Sequence, residues 1–61
     1  MPNARYVGFY DDGREVELPA NSRESVTVTA QALALRDIEE WLEGHLLAVA
    51  SGPEFEWVEL R

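Results

Sequence analysis

Alternating apolar and polar residues near the start of the chain predict a β-hairpin. The segment Arg5–Leu18 is centred on Asp12-Gly13, a pair that suits a two-residue type I′ turn because both of its positions need positive φ. With this turn Phe9 pairs with Val16, and the register places Val7 on the same face as Phe9. Val16 and Leu18 share that face, and Tyr6, Tyr10, Glu15 and Glu17 lie on the other.

A strand followed by a helix is predicted next. The segment Glu24–Thr29 alternates β-branched apolar residues with polar ones, a pattern typical of a half-buried strand. Residues 30–43 repeat apolar side chains at i, i+4, i+7 and i+8, which predicts an amphipathic helix with Thr29 as its N-cap and Gly44 as its stop. The apolar stripe of this helix consists of Ala34, Ile38, Trp41 and Leu42, with Leu35 beside it.

Two more strands are predicted towards the end of the chain. His45–Ser51 is short and strongly apolar, and Glu54–Arg61 alternates glutamates with large apolar residues. The element order is then β-β-β-α-β-β, which indicates an α+β fold: an antiparallel sheet of about five strands with one amphipathic helix packed on one face. Residues 1–61 are expected to form a single domain.

Charge narrows the range of partners. Twelve acidic residues outnumber five basic ones, all of them arginine, and the formal net charge is −7. Such a surface repels nucleic acid and anionic membranes, so a direct contact with either is not expected. It favours a basic protein partner, although many small acidic domains are simply soluble. The chain has no cysteine, which is compatible with a reducing cytoplasm, and we expect it there.

The residues needed for catalysis or metal binding are scarce. His45 is the only histidine, and no spacing of His, Asp and Glu matches a known metal motif. Glu39 and Glu40 are adjacent, so on a helix they would point about 100° apart and would not form an acid/base pair. We therefore expect a protein that is not an enzyme and that uses neither a metal nor a cofactor.

One segment carries a resemblance to a known family. Glu24-Ser25-Val26, followed by the acidic run Ile38–Gly44, resembles the uracil-DNA glycosylase inhibitors of bacteriophages. In that family an acidic Glu-Ser-Ile segment on an edge strand precedes an acidic amphipathic helix, with an antiparallel sheet behind. The runs Leu46–Val49 and Phe55–Val58 would supply strands of that sheet.

The resemblance implies DNA mimicry. Carboxylates and the serine would take the places of DNA phosphates in the enzyme's cleft. A hydrophobic gap between helix and strand would capture an apolar side chain of the enzyme, bacterial uracil-DNA glycosylase. The implied partner-binding residues are Glu24, Ser25, Val26, Val28, Leu35, Ile38, Glu39, Glu40, Leu42 and Glu43.

Two other functions remain open from the residues alone. The chain could be a small structural or assembly protein that binds another subunit through a sheet edge or an aromatic face. It could also be an antitoxin-like binder of a basic protein, which needs the charge but not Glu24 and Ser25. The discriminating feature is whether Glu24-Ser25 lie on an exposed strand edge next to an apolar cleft.

Overall fold

The sheet is built from strands that all run antiparallel to their neighbours. The computed structural model describes residues 3–60, and its elements are β1 (Arg5–Phe9), β2 (Glu15–Leu18), α1 (Arg23–Ala32), β3 (Asp37–Leu42), β4 (His45–Ser51) and β5 (Glu56–Glu59). The five strands lie in the order β2-β1-β3-β4-β5. The predicted α+β class, with its antiparallel sheet and single helix, is confirmed. The predicted element order is wrong, because the helix precedes the third strand.

The segment 24–29, predicted as a strand, is helical. Ser22 caps α1, and its side-chain oxygen accepts a hydrogen bond from the Ser25 backbone N–H at 3.1 Å. Glu24 lies in the first turn, where a carboxylate suits the positive end of the helix dipole. This local capping outweighs the strand propensity of the β-branched residues.

Helical periodicity also runs through the same residues. Arg23, Val26, Thr27 and Ala30 follow one another at i, i+3, i+4 and i+7, and they form the buried or half-buried face of α1. The Thr27 hydroxyl donates to the Arg23 carbonyl at 2.7 Å, so this half-buried hydroxyl has its hydrogen-bond partner within the helix. The face is easily missed in the sequence because an arginine and a threonine supply half of it.

Helix α1 ends at Ala32, whereas the predicted helix continues to residue 43. The Leu35 N–H donates to the Ala30 carbonyl at 3.0 Å and the Ala34 N–H to Gln31 at 3.2 Å, the two bonds of a Schellman motif. Ala34 takes the left-handed position of this motif, with φ 55°. Glycine usually fills that position, so alanine gives no sequence signal for a helix end.

The predicted helix over 30–43 is wrong beyond Ala32, because Asp37–Leu42 forms the central strand β3. This strand pairs with β1 on one side and β4 on the other. Glu43 and Gly44 then form a two-residue turn, both with positive φ (51° and 81°), as a type I′ turn requires. Pairing with two strands overrides the helix propensity of the glutamates in this segment.

The first hairpin is confirmed, but its register is shifted by one residue. The Tyr10 N–H donates to the Arg14 carbonyl and the Gly13 N–H to the Tyr10 carbonyl, so the loop has three residues and ends in Gly13 at φ 91°. Val7 consequently pairs with Glu17 instead of Leu18, and Phe9 with Glu15. A shift of one residue turns β1 over, which moves Val7 and Phe9 to the opposite face.

The last two strands largely agree with expectation. His45–Ser51 is confirmed as a strand, whereas β5 is shorter than the predicted 54–61, whose last residue lies outside the described part of the chain. Phe55 is buried, and Val58 and Leu60 are exposed. Large apolar side chains thus remain accessible at the β5 edge.

The core lies between α1 and one face of the sheet. Its buried residues are Tyr6, Leu18, Val26, Ala30, Leu35, Ile38, Ala50 and Phe55. Gly8 in β1 leaves the space that Leu35 fills, since a Cβ at position 8 would overlap the Leu35 Cδ1 atom. Within residues 3–60, no helix lies over the opposite face of the sheet.

Candidate functional site

The two faces of the sheet differ in what covers them. Tyr6 and Ile38 point to the face that α1 covers. Their neighbours along the strands point to the other face, because side chains alternate along a strand. We call this second surface the helix-free face.

Cross-strand pairing arranges the helix-free face in two rows. One row runs across the five strands as Glu15, Phe9, Asp37, Ser51 and Glu56. The next row runs as Glu17, Val7, Glu39, Val49 and Val58. Beyond them, Arg5 lies opposite Trp41. Carboxylates and apolar side chains therefore lie side by side over a partly exposed surface.

Few cations balance these carboxylates. Arg5 binds Glu17 through two hydrogen bonds of 3.1 Å. Arg36 binds Asp37 at 2.8 Å. Among the residues described, Glu15, Glu43 and Glu56 form no ion pair. The helix-free face is thus left with excess negative charge beside apolar surface.

A depression of about 390 Å³ surrounds Trp41 on this face. Its lining consists of Arg5, Val7, Phe9, Glu15, Glu39, Trp41, Glu43 and Gly44. The Trp41 Nε1–H donates to Glu39 Oε1 at 3.0 Å, which fixes the orientation of the indole. A second depression of about 380 Å³ shares Phe9 and Glu39 with the first. The two together form a shallow groove with aromatic walls and acidic edges.

The covered face holds a different acidic site. Glu40 is 7% exposed. The Tyr6 hydroxyl donates to Glu40 Oε2 at 2.6 Å, and the Arg23 Nε and NH2 groups donate to Oε1 at 3.1 and 2.8 Å. The Arg23 guanidinium also binds Glu59 at 2.6 Å and lies 5.1 Å from the centre of the Trp57 ring. The buried carboxylate is therefore fully compensated.

These contacts shift two pKa values in opposite directions. The Arg23 hydrogen bonds hold the pKa of Glu40 below its ordinary value against the effect of burial, and the Tyr6 hydroxyl adds to the lowering. Burial, followed by the Glu40 carboxylate, raises the pKa of Tyr6 to about 12. Glu40 thus stays ionised and Tyr6 stays protonated over the physiological range.

The partner-binding site predicted from the resemblance is not assembled. Glu24 and Ser25 lie on the exposed side of α1 and not on an edge strand, so the predicted strand edge is wrong. The Ser25 hydroxyl lies within hydrogen-bonding distance of the Ser22 carbonyl and hydroxyl oxygens, at 3.2 and 3.0 Å. Val28 is exposed on the helix, on the opposite side of the molecule from the helix-free face.

The predicted apolar cleft is also wrong. Val26 and Ile38 are 0% exposed and Leu35 is 4% exposed, so these side chains fill the core between α1 and the sheet. Leu42 is half-buried at the end of β3. Buried Glu40 faces the core.

Only Glu39 and Glu43, of the predicted residues, line the Trp41 depression. Sequence reasoning placed none of the other lining residues in a site: Arg5, Val7, Phe9, Glu15, Trp41 and Gly44. The predicted hairpin register, off by one residue, placed Val7 and Phe9 on the face of Leu18 instead of the face of Glu15. Gly13 also suits the third position of a three-residue loop, where glycine is favoured. A loop of that length places Val7 and Phe9 on the same face as Glu15.

The described residues contain no group of His, Cys, Asp and Glu suited to hold a metal ion. In the same part of the chain, no helix is long and apolar enough to span a bilayer. Comparison of the chain with protein families, with curated proteins and with solved structures found no match.

Proposed function

We propose that this protein is a non-catalytic binding module that uses the helix-free face of its sheet to hold a basic protein partner. The observation that carries the proposal is the pair of cross-strand rows, in which carboxylates lie beside apolar side chains on the face that α1 does not cover. The apolar residues offer contact area, and the carboxylates select a partner of opposite charge. This is the assembly or antitoxin-like class of function.

Charge complementarity also argues against a second copy of the chain as the partner. Two helix-free faces packed together would bring Glu15, Glu43 and Glu56 of each copy towards the other, and each copy has a net charge of −7. Like charges placed against each other cost free energy. A surface rich in arginine or lysine has the opposite effect, because it neutralises these groups and speeds encounter.

A DNA mimic that inhibits uracil-DNA glycosylase is the second candidate. Glu15 and Glu17 on β2, and Asp37 and Glu39 on β3, form two lines of carboxylates. Successive carboxylates in a line are about 6.8 Å apart, and the lines are about 9.5 Å apart because β1 lies between them. A groove that binds DNA phosphates is basic and would meet these lines favourably. In this form the mimicry uses the sheet, not Glu24 and Ser25.

Both candidates imply a cytoplasmic protein, and the cytoplasm is that of a host bacterium if the chain is phage-encoded. There it would meet the basic proteins that act on DNA.

Two matched substitutions test which surface binds. Val58 on the helix-free face and Val28 on α1 are 56% and 63% exposed, so lysine is tolerated at either position and changes the net charge equally. Wild type, Val58→Lys and Val28→Lys would be immobilised, and the proteins that each retains from a bacterial lysate would be quantified by mass spectrometry. We expect a basic protein that wild type and Val28→Lys retain equally and that Val58→Lys retains about tenfold less.

A uracil-excision assay with the same variants tests the second candidate. Stoichiometric inhibition by wild type and Val28→Lys that Val58→Lys loses would support mimicry through the sheet. Inhibition that is lost only in Glu24→Ala or Ser25→Ala would move the site to α1. Full enzyme activity at large excess would end this candidate. A partner lost by Val28→Lys and kept by Val58→Lys would overturn the proposal that the helix-free face binds.

A further inference from the structure

The chain already contains one complete arginine site. Arg23 lies 5.1 Å from the centre of the Trp57 ring, and its guanidinium binds Glu40 at 2.8 Å and Glu59 at 2.6 Å. A flat indole stabilises the flat cation, and two carboxylates take up its N–H donors. This site shows which side chains this small fold uses to hold a guanidinium.

The other tryptophan has the same chemistry around it. Trp41 lines the depression of about 390 Å³ together with the carboxylates of Glu15, Glu39 and Glu43. Val7 and Phe9 add an apolar wall against which the methylene groups of a long cation could lie. No cation among residues 3–60 stacks on the Trp41 ring, in contrast to Trp57.

The one cation in the lining is already bound elsewhere. The guanidinium of Arg5 makes two hydrogen bonds of 3.1 Å to the Glu17 carboxylate. This pairing largely neutralises its charge. The carboxylates of Glu15, Glu39 and Glu43 therefore keep the depression negative.

We propose that the Trp41 depression is the specificity pocket of the helix-free face and accepts an arginine side chain of the basic partner, an inference that rests on the proposed function. The guanidinium stacks on the Trp41 indole, and its N–H groups meet the surrounding carboxylates. The aliphatic part of the arginine lies along Val7 and Phe9. Lysine fits less well, because its ammonium is a more strongly hydrated point charge that cannot present a flat face to the ring.

Nuclear magnetic resonance spectroscopy can test the pocket with defined probes. The probes are three short peptides that are identical except for the central residues, which are arginine, lysine or uncharged citrulline. The side-chain N–H signals of Trp41 and Trp57 give one reporter on each face of the sheet. We expect the arginine peptide to shift the Trp41 signal and to leave that of Trp57 in place. The citrulline peptide should have no effect.

Three variants identify the contacts. Trp41→Leu keeps an apolar side chain but removes the aromatic ring, and we expect it to weaken arginine-peptide binding about fivefold. Glu43→Gln removes one carboxylate of the pocket and should weaken binding by a similar factor. Glu24→Gln on α1 removes the same charge far from the pocket and should change affinity less than about twofold, which controls for net charge. Binding by Trp41→Leu and Glu24→Gln is followed on backbone amide signals.

The outcomes separate this inference from the proposed function. Arginine-peptide shifts at the Val49 and Val58 amides that persist unchanged in Trp41→Leu and Glu43→Gln would leave the helix-free face as the binding surface and overturn the pocket. Equal affinity for the arginine and lysine peptides would overturn the preference for arginine. Shifts confined to α1, or no shift with any charged peptide, would overturn both proposals.

Discussion

The two tryptophans lie on opposite faces of the same sheet and differ in how their surroundings are completed. Around Trp57, Arg23 fills the space between two carboxylates, and the cluster closes the core beneath the start of α1. Around Trp41, the carboxylates are present but no described cation stacks on the ring. The covered face neutralises Glu40 within the chain, whereas Glu15 and Glu43 on the helix-free face form no ion pair among the described residues.

This difference separates the residues that stabilise the fold from those that, in our proposal, bind the partner. Removing the partner of a buried, paired carboxylate destabilises the fold, because it leaves a charge in a poor solvent. An exposed carboxylate without a partner adds little to stability and adds repulsion in a chain of net charge −7. Substitutions at matched positions on the two faces should therefore have opposite profiles: loss of stability on one, loss of binding on the other.

The largest contrast is expected between Ile38→Ala and Val7→Ala. Ile38 is 0% exposed, so truncation leaves a cavity and should lower the free energy of unfolding by about 3–4 kcal/mol. Val7 is half-exposed in the neighbouring strand, and its truncation should cost about 1 kcal/mol or less. Urea unfolding followed by circular dichroism measures both. Equal losses of unfolding free energy in the two variants would show that side chains on the helix-free face contribute as much to stability as those on the covered face.

The next largest contrast in stability is expected between variants that break the two ion pairs of arginine with glutamate. Arg23→Ala leaves buried Glu40 without its cation and should cost about 2 kcal/mol, less than in a fully buried pair because the Arg23 side chain is 36% exposed. Arg5→Ala breaks the exposed pair with Glu17 and should leave the unfolding midpoint unchanged. The same urea titrations test this. A midpoint that falls equally in both variants would contradict the contrast.

Acid should weaken the covered face through Glu40. The pKa of this carboxyl is lowered in the folded chain by the Arg23 hydrogen bonds, from an ordinary value of 4.5. A lowered pKa stabilises the folded state fully above that ordinary value, and the contribution is lost as pH falls through the lower folded value. The urea midpoint should therefore drop between about pH 6 and about pH 3, and it should drop less in Glu40→Gln. An identical drop in both proteins would assign the acid sensitivity to other carboxyls.

The smallest effect is expected from the exposed carboxylates of the Trp41 depression. Glu15→Gln and Glu43→Gln should leave the urea midpoint unchanged or slightly raised, because they relieve repulsion and break no ion pair among the described residues. Glu40→Gln, the same chemical change on the covered face, should lower it. A clear loss of stability in Glu43→Gln would give that residue a structural role.

The sequence predicted the fold class better than the central elements. The hairpin strands follow a two-residue alternation and His45–Ser51 is a short apolar run, and all three were correctly predicted as strands. The segments 24–29 and 37–42 were assigned the wrong way round, because each has a local propensity that opposes its tertiary surroundings. Ser22 supplies the cap that makes the first a helix, and two neighbouring strands make the second a strand.

The candidate site could not be predicted because it depends on register. One extra loop residue before Gly13 determines whether Val7 and Phe9 face the core or the solvent, and the apolar pattern of β1 suits both choices. The third member of the pocket wall, Trp41, was assigned to a helix. The depression therefore depends on two independent features, the hairpin register and the strand at Asp37–Leu42.

The contact between Gly8 and Leu35 has a consequence for how this chain can evolve. A side chain at position 8 would occupy the space of the Leu35 Cδ1 atom, so the two positions share one fixed volume. A larger residue at position 8 requires the Leu35 side chain to move, and a smaller residue at position 35 removes that need. In a library of paired substitutions selected for folding, larger residues at position 8 should therefore be enriched together with smaller ones at position 35.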